Sequence, residues 1–192
     1  IPIARVPDVP PPSRETLDAS IRKAADFLLK EQNRDGSWGN HTRTKGLNVL
    51  CPYPEGPRSF RTASTSLCVI GLLTSPLKED PAVKASLDKA LQYLLTTLPT
   101  LKRGDTRTVL GVWGHAYGLS ALSRAARNLP ADAPLREELK KVASLQVKAL
   151  DQMADVQGGW GYYTFETFSK RPIGEPTSFL TATVLLAYKD AE

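Results

Sequence analysis

Gln32-Asn33-Arg34-Asp35-Gly36-Ser37-Trp38-Gly39 carries the first of three tryptophans in the chain, and each of the three stands in the same frame, Gly-x-Trp-Gly. The others are Gly111-Val112-Trp113-Gly114 and Gly158-Gly159-Trp160-Gly161. A tetrapeptide that returns with every tryptophan is the signature of an internal repeat. Its chemistry suits a tight turn, where glycine reaches positive φ and the indole plugs the gap between neighbouring helices. Stacking on a ligand is the other role open to Trp38, Trp113 and Trp160; turn locking is the expected one.

Helical patterning surrounds each frame. Before Trp38, Ile21, Ala25, Leu28 and Leu29 recur on one face with Arg22, Lys23, Asp26 and Lys30 opposite, and Ser13 stands as N-cap. Before Trp113, Asp80 caps a helix with Pro81 at its first position and Val83, Leu87, Leu91, Leu94 and Leu98 as its stripe, stopped by Pro99. Before Trp160, a third begins at Ala133-Pro134 with Leu135, Leu139, Val142, Ala149, Leu150 and Met153 apolar. After the frames come Thr62–Leu73, Ala116–Ser123 and Thr177–Tyr188, which carry no charge. A helix without a polar face is one surrounded by protein. Charged outer helices therefore alternate with uncharged inner ones, and the fold class is all-α. The expected division is a proline-rich leader over 1–12, then one repeat domain over 13–192, with repeats at about 13–75, 80–129 and 133–190.

Composition narrows the function classes. At 192 residues, 41% hydrophobic and 23% charged, the chain is a single ordinary globular domain without an apolar run long enough to span a bilayer. The net charge of +5 is scattered along the chain, so no nucleic-acid footprint is expected. Cys51 and Cys68 form neither a disulfide framework nor a metal knuckle, though they are free to pair. Cys68, inside an apolar helix, reads as a buried structural thiol. The start at Ile1 and the prolines behind it lean the reading toward a processed, exported chain.

Gln32-x-x-x-Gly36-x-Trp38 resembles the repeat of squalene and oxidosqualene cyclases, which is related to repeats of the protein prenyltransferases. Gln157-Gly158-Gly159-Trp160 looks like a shortened copy, and the copy at Gly111 and Trp113 lacks the glutamine. The resemblance implies an α/α toroid, here a partial barrel of three helix pairs with inner helices ringing a cavity. It also names what is missing. The Asp-x-Asp-Asp acid of the cyclases is absent, as are the Asp, Cys and His zinc ligands of the prenyltransferases and the Gly-Cys-Gly-Glu-Gln thioester. No metal and no cofactor are expected, and the balance leans away from an enzyme.

Binding residues are sought in the two long inserts, Asn40–Arg61 and Tyr162–Pro176, which leave from equivalent points and should crowd one face of the stack. The candidates there are Tyr53, Arg58, Arg61, Tyr162, Tyr163, Glu166 and Glu175, joined by His115 and Tyr117 at the start of the second inner helix. Aromatics with a few charges suit an elongated apolar ligand or a peptide; a plain lid over the helix ends is the alternative. His115 is either a general acid, a zinc ligand or a simple hydrogen-bonding residue. The expected function is a non-catalytic binding module, with an enzyme or half-enzyme on an isoprenoid or other apolar substrate as the alternative. The apolar helix Thr177–Tyr188 needs a cover, from a second copy, a missing domain of a longer chain or the leader.

Overall fold

Ser13 accepts a hydrogen bond from the Thr16 amide and opens α1 (Arg14–Glu31), as its place after the prolines predicts. The computed structural model describes residues 10–40, 55–103, 111–162 and 171–192, and these hold six α-helices, a short 3₁₀ turn and no strand. The others are α2 (Glu55–Thr74), α3 (Pro81–Thr97), α4 (Val112–Arg127), α5 (Pro134–Met153) and α6 (Ser178–Ala191). Asp80 caps α3 through the Ala82 amide at 2.9 Å, and Pro81 and Pro134 sit at helix starts, where a missing N–H costs nothing. The 3₁₀ turn Leu98–Thr100 tightens the chain at Pro99.

Two helix starts differ from the sequence reading. α2 begins at Glu55 rather than Thr62, because Pro57 fits a first helical turn and the charges of Glu55, Arg58 and Arg61 all find partners. Arg58, Phe60 and Arg61 are thus helical, and not part of an insert. α4 begins at Val112, so Trp113 lies in its first turn. Gly111 has φ of −65°, which any residue adopts, and the second Gly-x-Trp-Gly is not a turn.

The helices form two rows. α2, α4 and α6 lie side by side with α4 in the centre, while α5 packs on α4, α3 on α2, and α1 on α3. The first row runs parallel. Near its start, a Cβ on Gly114 of α4 would lie 3.2 Å from the Ser59 carbonyl of α2, and Trp113 stacks on Phe179 of α6; near its end, Arg124 binds Asp190 at 2.9 Å. Leu72, Leu94, Leu98, Leu119, Leu122, Leu139, Leu150 and Leu180 fill the space between the rows. No helix among the described residues is long and apolar enough to cross a membrane.

The first and third frames are turns, and they match bond for bond. The indole N–H of Trp38 donates to the Leu28 carbonyl at 2.7 Å, and that of Trp160 to the Leu150 carbonyl at 2.8 Å. Each acceptor is one of the last four carbonyls of its helix, which no helical N–H reaches. The Trp38 amide donates to Thr65 Oγ1 on α2 and the Trp160 amide to Thr181 Oγ1 on α6. Asn33 N–H to Ser37 O is repeated by Asp155 N–H to Gly159 O, and Gly36 N–H to Asn33 O by Gly158 N–H to Asp155 O. Gly36 and Gly158 both have positive φ, 85° and 95°. At Gly36 a Cβ would also collide with the Lys89 carbonyl of α3.

The two glutamines are not counterparts. Gln32 donates to the Gly36 and Ser86 carbonyls, both at 2.9 Å, and accepts from the Ser86 hydroxyl, tying turn to α3. Gln157 has an exposed side chain, and the position matching Gln32 is held by Ala154. Trp38→Ala and Trp160→Ala should each destabilise by about 3–5 kcal/mol, whereas Trp113→Ala should cost roughly half that or less because its ring is half-exposed. Urea denaturation compares the three, and equal losses would contradict the distinction.

Candidate functional site

α4 and α6 bring their first turns together, and four aromatic rings meet there. Trp113 stacks on Tyr117, one turn further along α4, with centroids 5.5 Å apart and planes at 11°. It stacks again on Phe179 of α6 at 5.9 Å and 21°. Its indole N–H donates to Tyr162 Oη at 3.1 Å, and the Tyr162 ring tilts against both Trp113 and Phe179 at about 6 Å. Trp113, Tyr117 and Tyr162 are half-buried, and Phe179 is 53% exposed. Unlike Trp38 and Trp160, Trp113 shows part of its ring to solvent.

Of the candidate binding residues, the structure brings together Tyr117 and Tyr162, with Trp113 between them. Phe179 completes the patch and was not among the candidates, since inside an uncharged run it reads as core. The sequence holds no signal that separates it, since Leu180, Val184 and Ala187 have the same helical spacing in the same run and are buried, whereas Phe179 shares its exposed face with Ala182 and Leu186.

The two arginines serve the fold. Arg58 donates to the Thr100 carbonyl at 3.2 Å and to the Thr100 hydroxyl, and faces Glu55 at 3.4 Å, joining α2 to the 3₁₀ turn. Arg61 pairs with both oxygens of Asp35, at 2.9 and 3.1 Å, and its guanidinium lies 5.7 Å over the Tyr93 ring. Burial pushes the Asp35 carboxyl upward, but hydrogen bonds from the Ser37 hydroxyl and amide and the charge of Arg61 outweigh it and hold it below the usual range. Glu175 is exposed, with its backbone carbonyl beside Gly161. Tyr53, Tyr163 and Glu166 lie outside the described residues, as does Cys51. Cys68 is half-buried, and burial pushes its thiol up to about 11, so it is protonated near neutrality.

His115 faces the other way from the aromatic patch. It is 2% exposed and meets Gln146 of α5, Nδ1 to Oε1 at 2.7 Å. The Gln146 amide nitrogen donates to the Val142 carbonyl at 3.0 Å, so its oxygen must face the imidazole. Gln146 Oε1 only accepts, which puts the proton on Nδ1 and leaves Nε2 a bare acceptor, buried and without a partner among the described residues. Burial lowers the His115 pKa below 6.5, opposed by the weaker effect of the Gln146 bond. No group of three His, Cys, Asp or Glu side chains that could hold a metal exists among the described residues.

No protein-family model matches the chain, and no solved structure matches it.

The neutral imidazole makes stability depend on pH. His115 binds a proton less readily folded than unfolded, so its contribution is complete above the unfolded value of about 6.5 and falls as pH drops through it. Thermal melts from pH 7.5 to 5 should show a loss in the wild type that His115→Gln reduces; parallel curves would remove His115 as the cause.

Proposed function

We propose that the chain is a non-catalytic binding module built on helix-pair repeats of the α/α-toroid type seen in squalene cyclases and prenyltransferases. The repeat reading is supported by the two tryptophan turns, which share indole, amide and glycine bonding at opposite ends of the chain. Parallel α2, α4 and α6, with α3 and α5 packed on them and α1 on α3, fit the alternation of inner and outer helices such an arrangement requires.

The observation that carries the binding role is the aromatic patch of Trp113, Tyr117, Tyr162 and Phe179 at the joined first turns of α4 and α6. A protein that wanted these rings only as filler would bury them. Phe179 is more than half exposed, and the rings meet Trp113 by stacking and by its bond to the Tyr162 hydroxyl. Such a patch favours an apolar small molecule, or the apolar side chains of a peptide, over an ionic ligand. The catalytic alternative draws on His115, whose ring is sealed inside the helix packing.

Farnesol serves as a probe of this class. Trp113 is the one partly exposed indole of the three, so binding should change its fluorescence while the buried Trp38 and Trp160 report little. Trp38 and Trp160 remain as reporters of folding in Trp113→Phe. Paired with Phe179→Ala, measured by calorimetry, that variant should weaken binding about tenfold or more with little change in melting temperature. Farnesol binding unaffected by both substitutions, or none at all, would dismiss the patch as its site.

A further inference from the structure

The exposed large hydrophobic side chains are unevenly placed. Among the described residues they fall on α1, α2, α5, α6 and the segments flanking the third turn, and α3 and α4 carry none. The reason lies in the row of parallel helices. Among the described residues α4 is flanked by α2 and α6, whereas each of those has a row neighbour on one side only.

Both bare flanks are continuous stripes. On α2, Phe60, Ser64, Leu67, Gly71 and Thr74 are exposed at spacings of four and three, and a Cβ added at Gly71 would meet nothing within 4 Å. On α6 the stripe is Phe179, Ala182 and Leu186, with Leu185 beside it; Leu185 is 56% and Leu186 67% exposed. The α2 stripe, and the α6 stripe as far as Leu186, contain no charge; Lys189, one turn further on α6, is exposed and pairs with Glu192 at 2.8 Å. The large apolar side chains left in water are Phe60 and Leu67 on α2 and Phe179, Leu185 and Leu186 on α6, with small uncharged residues between them on α2.

We propose that these two edges are halves of one interface: α6 of one copy packs against α2 of a second copy, head to tail, continuing the α2–α4–α6 row from one molecule into the next. Three observations favour a second copy as the occupant. The contact repeats, with the same helix types, what the row already makes twice inside one molecule. Both stripes are neutral, so joining them desolvates no ion. And a pairing of α6 with α6 would cover one edge and leave the α2 stripe in water.

Area argues the same way. The α2 stripe is about 21 Å long at 1.5 Å per residue, and one helix seam of that length falls short of the roughly 1,200 Å² of a stable interface. A head-to-tail pair related by a two-fold axis forms two identical seams at once, which is the closed form of such a contact. Phe179 belongs both to the aromatic patch and to the α6 stripe, so the edge substitutions are placed at Leu67 and Leu186, which make no contact in the patch, and the two readings fail separately.

Sedimentation equilibrium on the whole 192-residue chain tests it, with Leu67→Glu and Leu186→Glu as the two edge variants. The wild type should be a dimer at low micromolar concentration, and either substitution alone should raise the dissociation constant about tenfold or more. Circular dichroism checks that each variant folds; Leu67→Ser and Leu186→Ser replace any that does not. A wild-type monomer at about 100 μM overturns the proposal and assigns the edges to another partner. A dimer broken by the α6 substitution alone overturns it in favour of an α6–α6 contact.

Discussion

The indole N–H given to a carbonyl at the end of the preceding helix is the bond on which each hairpin depends. The last turn of any helix leaves carbonyls that water or a cap must satisfy, and between packed helices there is little room for water. Trp38 and Trp160 answer that need with a side chain that also fills the wedge between helices. Their backbone amides then bind a threonine on the following helix, so one residue joins the preceding helix, the turn and the following helix. The second frame has no such task. The helix before it closes itself by the 3₁₀ turn Leu98–Thr100, with the Leu98 amide returning to the Leu94 carbonyl. Trp113, relieved of capping, turns its N–H to Tyr162 and presents its ring at the surface.

α4 is the element around which the others gather, and its composition suits that place. Gly114, Ala116, Gly118, Ala121, Ala125 and Ala126 are all buried on it, and small side chains let four neighbours approach closely. Its polar groups are used at the two ends. His115 meets Gln146 near the start, and Arg124 and Arg127 hold Asp190 of α6 near the finish. The aromatic patch and the sealed histidine therefore occupy different sides of one helix turn, and a ligand on the first need not disturb the second.

Much of this was legible in the residues. Ser13, Asp80, Pro81 and Pro134 mark helix starts by chemistry that acts locally, and the three outer stripes follow from spacing alone. The identity of Gly36 was readable too, since a turn of this kind needs positive φ. What the sequence hid depends on partners distant along the chain. Arg58 and Arg61 look like ligand-binding charges until Thr100 and Asp35 are seen to take them. Trp113 shares its tetrapeptide with Trp38 and Trp160, and only the path of the chain before it decides that it is not a cap. Gln157 has the right letter beside the right glycines, but it stands where Gln32 does not. Phe179 and Leu186 are apolar letters in an apolar run, and exposure is a property of what packs beside them.

The thin seating of α1 has a consequence for how the molecule opens. This helix rests on α3, and Ala25 is its one fully buried residue, with Leu28 and Leu29 partly covered near its C-terminal end. Its first three turns, from Arg14 to Ala24, contribute little to the common core. The free energy of detaching them is accordingly a small part of the whole. Amide protons along that stretch exchange with solvent by local fraying, while those of α4 wait for global unfolding. Fraying of these turns leaves the last turn of α1 in place, because the Leu28 carbonyl takes the Trp38 indole and that turn is itself fastened to α2 and α3.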